Sequence, residues 1–197
     1  MVHKKKLSSA EIISDTRYWI KSTVIHYNLC PFANKVFSSG RLGFDVSFVD
    51  SEEALLEDCL LVIQQLLTSP RDEIETSLLI HPHIMNTFSD YNDFLGMLDV
   101  LLEEMKLDGV VQIASFHPHY CFADSNESDA ANYTNRSPYP MLHILREESI
   151  TEAVDEWAER SLDVEQIPLR NIETLRKLGA DILESQLQAC YREGSKQ

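Results

Sequence analysis

The chain has 197 residues, of which 44% are hydrophobic and 25% are charged, and its net charge at pH 7 is −15. That length suits one folded domain with a single core. A surface this acidic disfavours binding to nucleic-acid backbones, and no apolar run approaches the roughly 20 residues of a membrane span, so neither nucleic acid nor a membrane is an expected partner.

The N-terminal segment is basic at residues 1–6, and a polar helix start follows it instead of the apolar core of a secretion signal. The four cysteines lack the spacing of a zinc site or a disulfide framework, so we expect free thiols in a cytoplasmic protein. We predict one domain over residues 1–197, with a flexible basic segment at 1–8 and a flexible end at 192–197.

The first predicted helix begins at a capping box, in which Ser8 and Glu11 can each bond the other's free backbone amide. Apolar residues at helical spacing extend this helix to about Asn28. The helix is expected to end there, because Pro31 restricts the backbone that precedes it.

Cys30 is the first candidate for chemistry. If Pro31 begins a short helix that reaches about Phe37, Cys30 occupies its N-cap, where the helix dipole and free amides lower the pKa of a thiol. A nucleophilic or redox thiolate is made in this way. The alternative is a small buried thiol in an apolar turn.

Three apolar segments alternate with two helical patterns farther along the chain. Strands are predicted at 44–50, 76–80 and 110–116, and helices at 52–67 and 88–105. Crossovers of this length imply parallel pairing with right-handed connections. We therefore predict an α/β fold in which a small parallel βαβαβ sheet packs against helices, with an extra N-terminal helix and additional C-terminal helices.

The tripeptide His-Pro-His occurs directly after two of these predicted strands, at 81–83 and 117–119. Ligands of open parallel sheets bind beyond the carboxyl ends of the strands, so the two motifs predict a site at that edge. Histidines one residue apart also suit a transition metal, which His117, His119 and Cys121 would bind together with Asp124 or His81. The alternative is that these histidines only cap backbone groups.

A polar segment at 120–140 is long for a loop in a compact domain and is therefore predicted to be functional. A helix that starts near Pro138 or Pro140 would leave free backbone amides beside Asn135, Arg136 and Ser137. Such a helix start, next to a guanidinium group, suits a phosphate or carboxylate.

The same predicted helix, at 141–146, would place Tyr139, His143 and Arg146 on one face. An aromatic ring, an imidazole and a guanidinium group in one stripe favour ligand binding. The alternative is structural, with Arg146 paired to a nearby acid and Tyr139 in the core.

Three strings of the sequence resemble an uncharacterised bacterial family, the domain of unknown function numbered fourteen-fifteen. They lie at 28–33, 114–123 and 132–147, and the likeness covers nearly the whole chain. The family's motif positions are occupied by Cys30, His117, Arg136, His143 and Arg146. The resemblance implies a pocket with a thiol, two imidazoles and two guanidinium groups, and it implies no particular reaction. His119 departs from the family pattern, which disfavours the metal site.

The leading hypothesis is an enzyme or binding protein for a small anionic molecule that bears a phosphate or carboxylate. Cys30 would be the nucleophile or redox thiol, and His117 or His143 would move protons. The ligand would be bound by Asn135, Arg136, Ser137, Tyr139 and Arg146. One alternative is a transition-metal-binding protein, and a second is a non-catalytic module that presents its acidic surface to a basic partner. No cofactor is specified by the sequence.

Overall fold

The computed structural model describes residues 7–159 and 166–193. The predicted flexible ends lie largely outside the described residues, at 1–6 and 194–197, and Leu7 and Ser8 lead directly into the first helix. None of the described helices is long and apolar enough to cross a membrane.

The α-helices of the described part follow the chain in the order α1 (Ser9–Trp19), α2 (Ala33–Ser38), α3 (Glu52–Thr68), α4 (Phe88–Glu104), α5 (Glu147–Glu159), α6 (Gln166–Leu178) and α7 (Ala180–Glu193). A short 3-10 helix, Ala130–Thr134, interrupts the long polar loop. The predicted capping box is confirmed, because Ser8 accepts a bond from the Glu11 amide and the Glu11 carboxylate accepts one from the Ser8 amide at 2.9 Å.

The second half of the predicted first helix is not an α-helix. From Ile20 to Ile25 the chain forms a π-helix, in which the amide of His26 donates to the carbonyl of Lys21. The extra residue in each turn shifts the side chains that follow relative to an α-helix. Asn28, with a φ of 52°, then adopts the left-handed conformation, which ends the helical segment.

Four strands form one sheet in the order β1-β2-β4-β3. They are β1 (Leu42–Val46), β2 (Thr76–Ile80), β3 (Val111–Phe116) and β4 (Met141–Arg146). β1 and β2 are parallel, whereas β4 lies antiparallel between β2 and β3. The α/β class is confirmed, and the prediction of a purely parallel sheet is wrong.

The correction comes from β4, which was predicted as a helix. Its six residues include the fully buried Met141, Leu142 and Ile144, as expected for a central strand covered on both faces. A short apolar run of this kind does not distinguish a strand from a helix by periodicity. Pairing with the edges of β2 and β3 favours the strand over the helix, because it satisfies the backbone hydrogen-bonding groups of all three strands.

The sheet separates two apolar layers. One layer contains α1, the π-helix, α6 and α7, against which Leu78, Ile80 and Met141 pack. The other contains α3 and α4, against which Leu79, Leu142 and Ile144 pack. Neighbouring strand residues thus point to opposite layers.

Candidate functional site

A cavity of about 340 Å³ lies on the first of these faces, between the sheet, the π-helix, α2 and α5. Its apolar walls are formed mainly by Trp19, Ile20, Val24, Leu78, Phe116 and Ile150. Cys30, His143 and Arg146 also line it. The structure therefore brings together three of the residues singled out in the sequence.

His143 is held at the cavity wall by Thr76 on the neighbouring strand. The Thr76 hydroxyl lies 2.7 Å from the imidazole Nε2 and 2.7 Å from the carbonyl oxygen of Ile144. A hydroxyl has one hydrogen, which the carbonyl must receive, so Thr76 accepts its second bond from Nε2–H. The ring is therefore the neutral tautomer in which Nδ1 keeps its lone pair.

Burial lowers the pKa of His143 to about 4, because the charged imidazolium would be desolvated. At neutral pH the ring is uncharged, and Nδ1 can accept a hydrogen bond. Among the described residues no hydrogen-bond donor to Nδ1 is found. A ligand with a hydroxyl or N–H group could supply one.

Cys30 lies where the π-helix region leads into α2, and it is exposed at the cavity. The N-cap of α2 is Phe32, not Cys30, so the thiol is not at the helix terminus. Desolvation raises the pKa of the Cys30 thiol, and the backbone amides of Phe32 and Ala33 oppose this only in part. The predicted N-cap position of Cys30 is therefore wrong, and the raised pKa gives no support to a stabilised thiolate.

One end of the cavity is polar. Glu75, which is 8% exposed, lies between two arginines, with Arg41 Nη1 at 2.5 Å and Arg71 Nη2 at 3.0 Å. Arg71 also forms a two-point pair with Glu152 of α5, at 2.9 and 2.7 Å. No sequence pattern pointed to this group, because its members come from the segments that precede β1 and β2 and from helix α5.

The π-helix contributes Ile20 and Val24 to the cavity wall. π-Helical turns cost hydrogen-bond geometry and are frequently found at functional sites. The apolar spacing of this segment predicts an ordinary helix, and no signal in the sequence distinguished the two.

His81 and His117 lie at the ends of β2 and β3, as predicted, but both are fully buried outside the cavity. The Nε2–H of His117 donates to the carbonyl of Met85 at 2.9 Å, and its Nδ1 accepts from the amide of His119 at 3.0 Å. Both nitrogens are thus occupied, and desolvation lowers the pKa of this ring. His117 acts here as a backbone cap.

The predicted metal ligands are not brought together. His119 and Asp124 are exposed, His81 is buried, and the Cys121 thiol faces Ser125 and the carbonyl of Phe122. Within residues 7–159 and 166–193, no group of three or more His, Cys, Asp or Glu side chains is placed to hold a metal ion. With both nitrogens of His117 occupied, the geometry opposes the metal-binding alternative.

The predicted anion site at 135–137 lacks the helix that would supply its amides, since this segment leads into β4. Arg136 donates to the carbonyls of Tyr120 at 3.1 Å and Glu127 at 2.7 Å, and its guanidinium lies 4.7 Å from the ring centre of Tyr133. Asn135 donates to the Ser115 carbonyl at 3.0 Å. These side chains hold the long loop against the end of β3.

Arg136→Ala should therefore lower the free energy of unfolding by about 1–2 kcal/mol, because two carbonyls lose their donor and the ring contact is lost. Chemical denaturation measures the change, and Arg136→Lys should recover part of it. Unchanged stability with loss of ligand binding would instead support the role expected from sequence.

Ser137 and Tyr139 are buried in the interior. The Ser137 hydroxyl donates to the carbonyl of Tyr139 at 2.7 Å, and the Tyr139 hydroxyl donates to Asp15 Oδ2 at 2.6 Å. Burial raises the pKa of Tyr139. Neither residue lines the cavity, so the predicted binding stripe of Tyr139, His143 and Arg146 is not formed.

Arg146 is buried at the end of β4 and lines the cavity, but its Nη2 is committed to protein. It donates to the carbonyls of Leu66, Ser69 and Ile74. The positive charge thus lies at the C-terminal end of α3, where a helix terminus favours a cation. Its Nε is buried without a partner among the described residues.

Comparison with known proteins gives one match. A family described as protein of unknown function, DUF1415, matches residues 11–185. No curated protein and no solved structure matches the chain significantly.

Proposed function

Given that the chain belongs to the DUF1415 family of unknown function, we propose its function from the cavity: the protein binds a small, largely apolar molecule that carries an anionic group and a hydrogen-bond donor. The observation that carries this proposal is one apolar cavity that contains both a neutral imidazole acceptor and an excess of basic side chains. The apolar walls would bind the apolar part of the ligand, the basic side chains its anionic group, and the imidazole its hydrogen-bond donor.

The size and walls of the cavity favour a small molecule. A volume of about 340 Å³ falls at the lower end of the range of roughly 300–1,000 Å³ typical of ligand pockets. Apolar walls with a few placed polar groups are also typical of such sites, since burial provides affinity and the polar groups orient the ligand.

The charges along the cavity favour an anion. Its basic lining residues are Lys35, Arg41, Arg71 and Arg146, against the acidic Glu75, Glu152 and Glu156. Four basic against three acidic side chains leave an excess of one positive charge in a chain whose net charge is −15. An anionic ligand would be attracted to this cavity more than to the rest of the surface, which is acidic on average.

The protonation states favour binding over thiol chemistry. A reactive thiol–imidazole pair needs a thiolate, which a neighbouring imidazolium stabilises. Here burial raises the pKa of Cys30 and lowers that of His143 to about 4, so both groups are neutral at pH 7. Cys30 then forms part of the cavity wall, and His143 accepts a hydrogen bond from the ligand.

Filling the cavity provides the test. Val24→Trp should weaken the binding of decanoate, a simple apolar carboxylate, by roughly tenfold or more, which corresponds to about 1.4 kcal/mol. Isothermal titration calorimetry measures the affinity. Val100→Trp, at a position on α4 that is 57% exposed, is the matched control and should bind as the wild type does. Equal affinity in all three proteins would exclude the cavity as the binding site.

A further inference from the structure

Helix α5 forms one wall of the cavity, yet none of its residues is buried. Ile150 and Ala153 face the cavity, and Glu148, Glu152 and Glu156 follow at intervals of four residues along the helix. This acidic stripe is one link between α5 and the body of the protein, since Glu148 and Glu152 pair with Arg71, and Glu156 pairs with Lys35 at 3.1 Å.

The pair of Arg71 with Glu152 has the geometry of ligand recognition. Arg71 Nη1 and Nη2 donate to the two carboxylate oxygens of Glu152 at 2.9 and 2.7 Å. This two-point arrangement is the one that arginine adopts with a bound carboxylate. Arg71 itself lines the cavity, so a carboxylate inside it would compete for the same donors.

Glu75 and Glu152, the two nearest of the three acidic partners of Arg71, differ in how firmly they are placed. Glu75 is buried and also bonds Arg41, so it belongs to the fixed framework. The side chain of Glu152 is 54% exposed. Exposed ion pairs contribute little to stability and weaken with salt, so an incoming carboxylate can replace Glu152 at small cost.

We propose that a ligand carboxylate binds Arg71 at the position that Glu152 holds, displaces Glu152, and thereby loosens the attachment of α5 to the body. This inference rests on the proposed function and narrows the ligand class from anions in general to carboxylates. The start of α5 stays fixed, because the amide of Glu147 donates to the carbonyl of Val110 at 3.0 Å. The ring contact of Phe32 with Trp157, with centres 5.7 Å apart, remains as a second hold on the helix.

Glu152→Gln tests the competition, because it removes the charge while keeping the size of the side chain. The variant should bind decanoate roughly threefold more tightly than the wild type and should bind decanol, which has no carboxylate, with unchanged affinity. Glu159→Gln is the matched control, since Glu159 is an exposed acid on the same helix that does not line the cavity, and it should bind both probes as the wild type does.

A second measurement needs no ligand. Hydrogen exchange of the α5 amides should be faster in Glu152→Gln than in the wild type, whereas α3 should exchange at the same rate. If the wild type binds decanoate and Glu152→Gln binds it equally well, the proposed role of Glu152 is wrong. Unchanged hydrogen exchange in α5 would also contradict this role. Neither result would contradict the proposed binding function. Failure of the wild type to bind either decanoate or decanol would contradict the proposed function itself.

Discussion

Arg146→Met should lower the free energy of unfolding by about 3 kcal/mol. Arg146 is 9% exposed, and its Nη2 donates to three carbonyls, those of Leu66, Ser69 and Ile74. Methionine fills much of the same space and donates no hydrogen bond, so buried carbonyl oxygens at the end of α3 lose their partner. Urea denaturation followed by circular dichroism gives the value.

Arg170→Met is the matched control for this substitution. Arg170 also donates to a backbone carbonyl, that of Asn28 at 2.7 Å, but the bond is exposed and water can replace it. We expect a loss below about 1 kcal/mol for this variant. If Arg146→Met is no more destabilising than Arg170→Met, Arg146 does not clamp α3 and is free to serve a ligand.

Stability should fall by about 3 kcal/mol from His81 alone as the pH is lowered from above 6.5 to about 4. Burial lowers the pKa of His81 from 6.5 to about 4, because the ring is fully buried beside Tyr91 and its charged form would be desolvated. In this window the unfolded chain binds a proton that the folded protein excludes. Acid therefore favours unfolding, and the full stability is present above pH 6.5.

Urea denaturation at pH 7, 6, 5 and 4.5 measures this dependence. At pH 4.5 Glu75 adds to the loss, because its pKa is lowered in the folded protein while the unfolded side chain, with an ordinary pKa of 4.5, is half protonated; the points at pH 7, 6 and 5 therefore isolate the histidines best. His81→Phe keeps a ring against Tyr91 and should remove the part of the pH dependence that comes from His81, whereas the parts from His143 and His117, whose pKa values burial also lowers, should remain. His83→Gln changes the exposed histidine of the same tripeptide and should leave it unaltered. A wild-type curve that is flat over this range would contradict the burial of neutral histidines.

The sequence predicted where the His-Pro-His motifs lie in the fold, but not the surroundings of their side chains. The chain order of strand and helix was predicted correctly from Phe44 to Phe116, and both motifs do follow strands. Their chemistry was not predictable, because His81 and His117 turn inward against Tyr91 and Phe88 instead of facing a cleft. Whether a loop histidine caps a backbone group or faces solvent depends on the elements that close over it.

The candidate site likewise combines residues that the sequence pointed to with residues that it did not. Cys30 and His143 were selected as separate candidates, from a turn and from a supposed helix, and both line the cavity. Thr76, Arg71 and Glu75 gain their roles only by proximity to those residues in space. A threonine that begins a strand and an ion pair between i and i+4 are ordinary features of any sequence.

The sequence by itself determined the family, the α/β class, the capping box and the apolar faces of α3 and α4, because these depend on periodicity and on contacts between near neighbours. The tertiary structure decided that 141–146 is a strand, that Arg136 and Arg146 bond backbone carbonyls, and that the cavity lies beside the π-helix. The physical reason is that six residues carry too little local preference to oppose the free energy gained when a strand completes the hydrogen bonds of two others. Once β4 lies between β2 and β3, its side chains must alternate between the two faces, which places His143 in the cavity and Arg146 against α3.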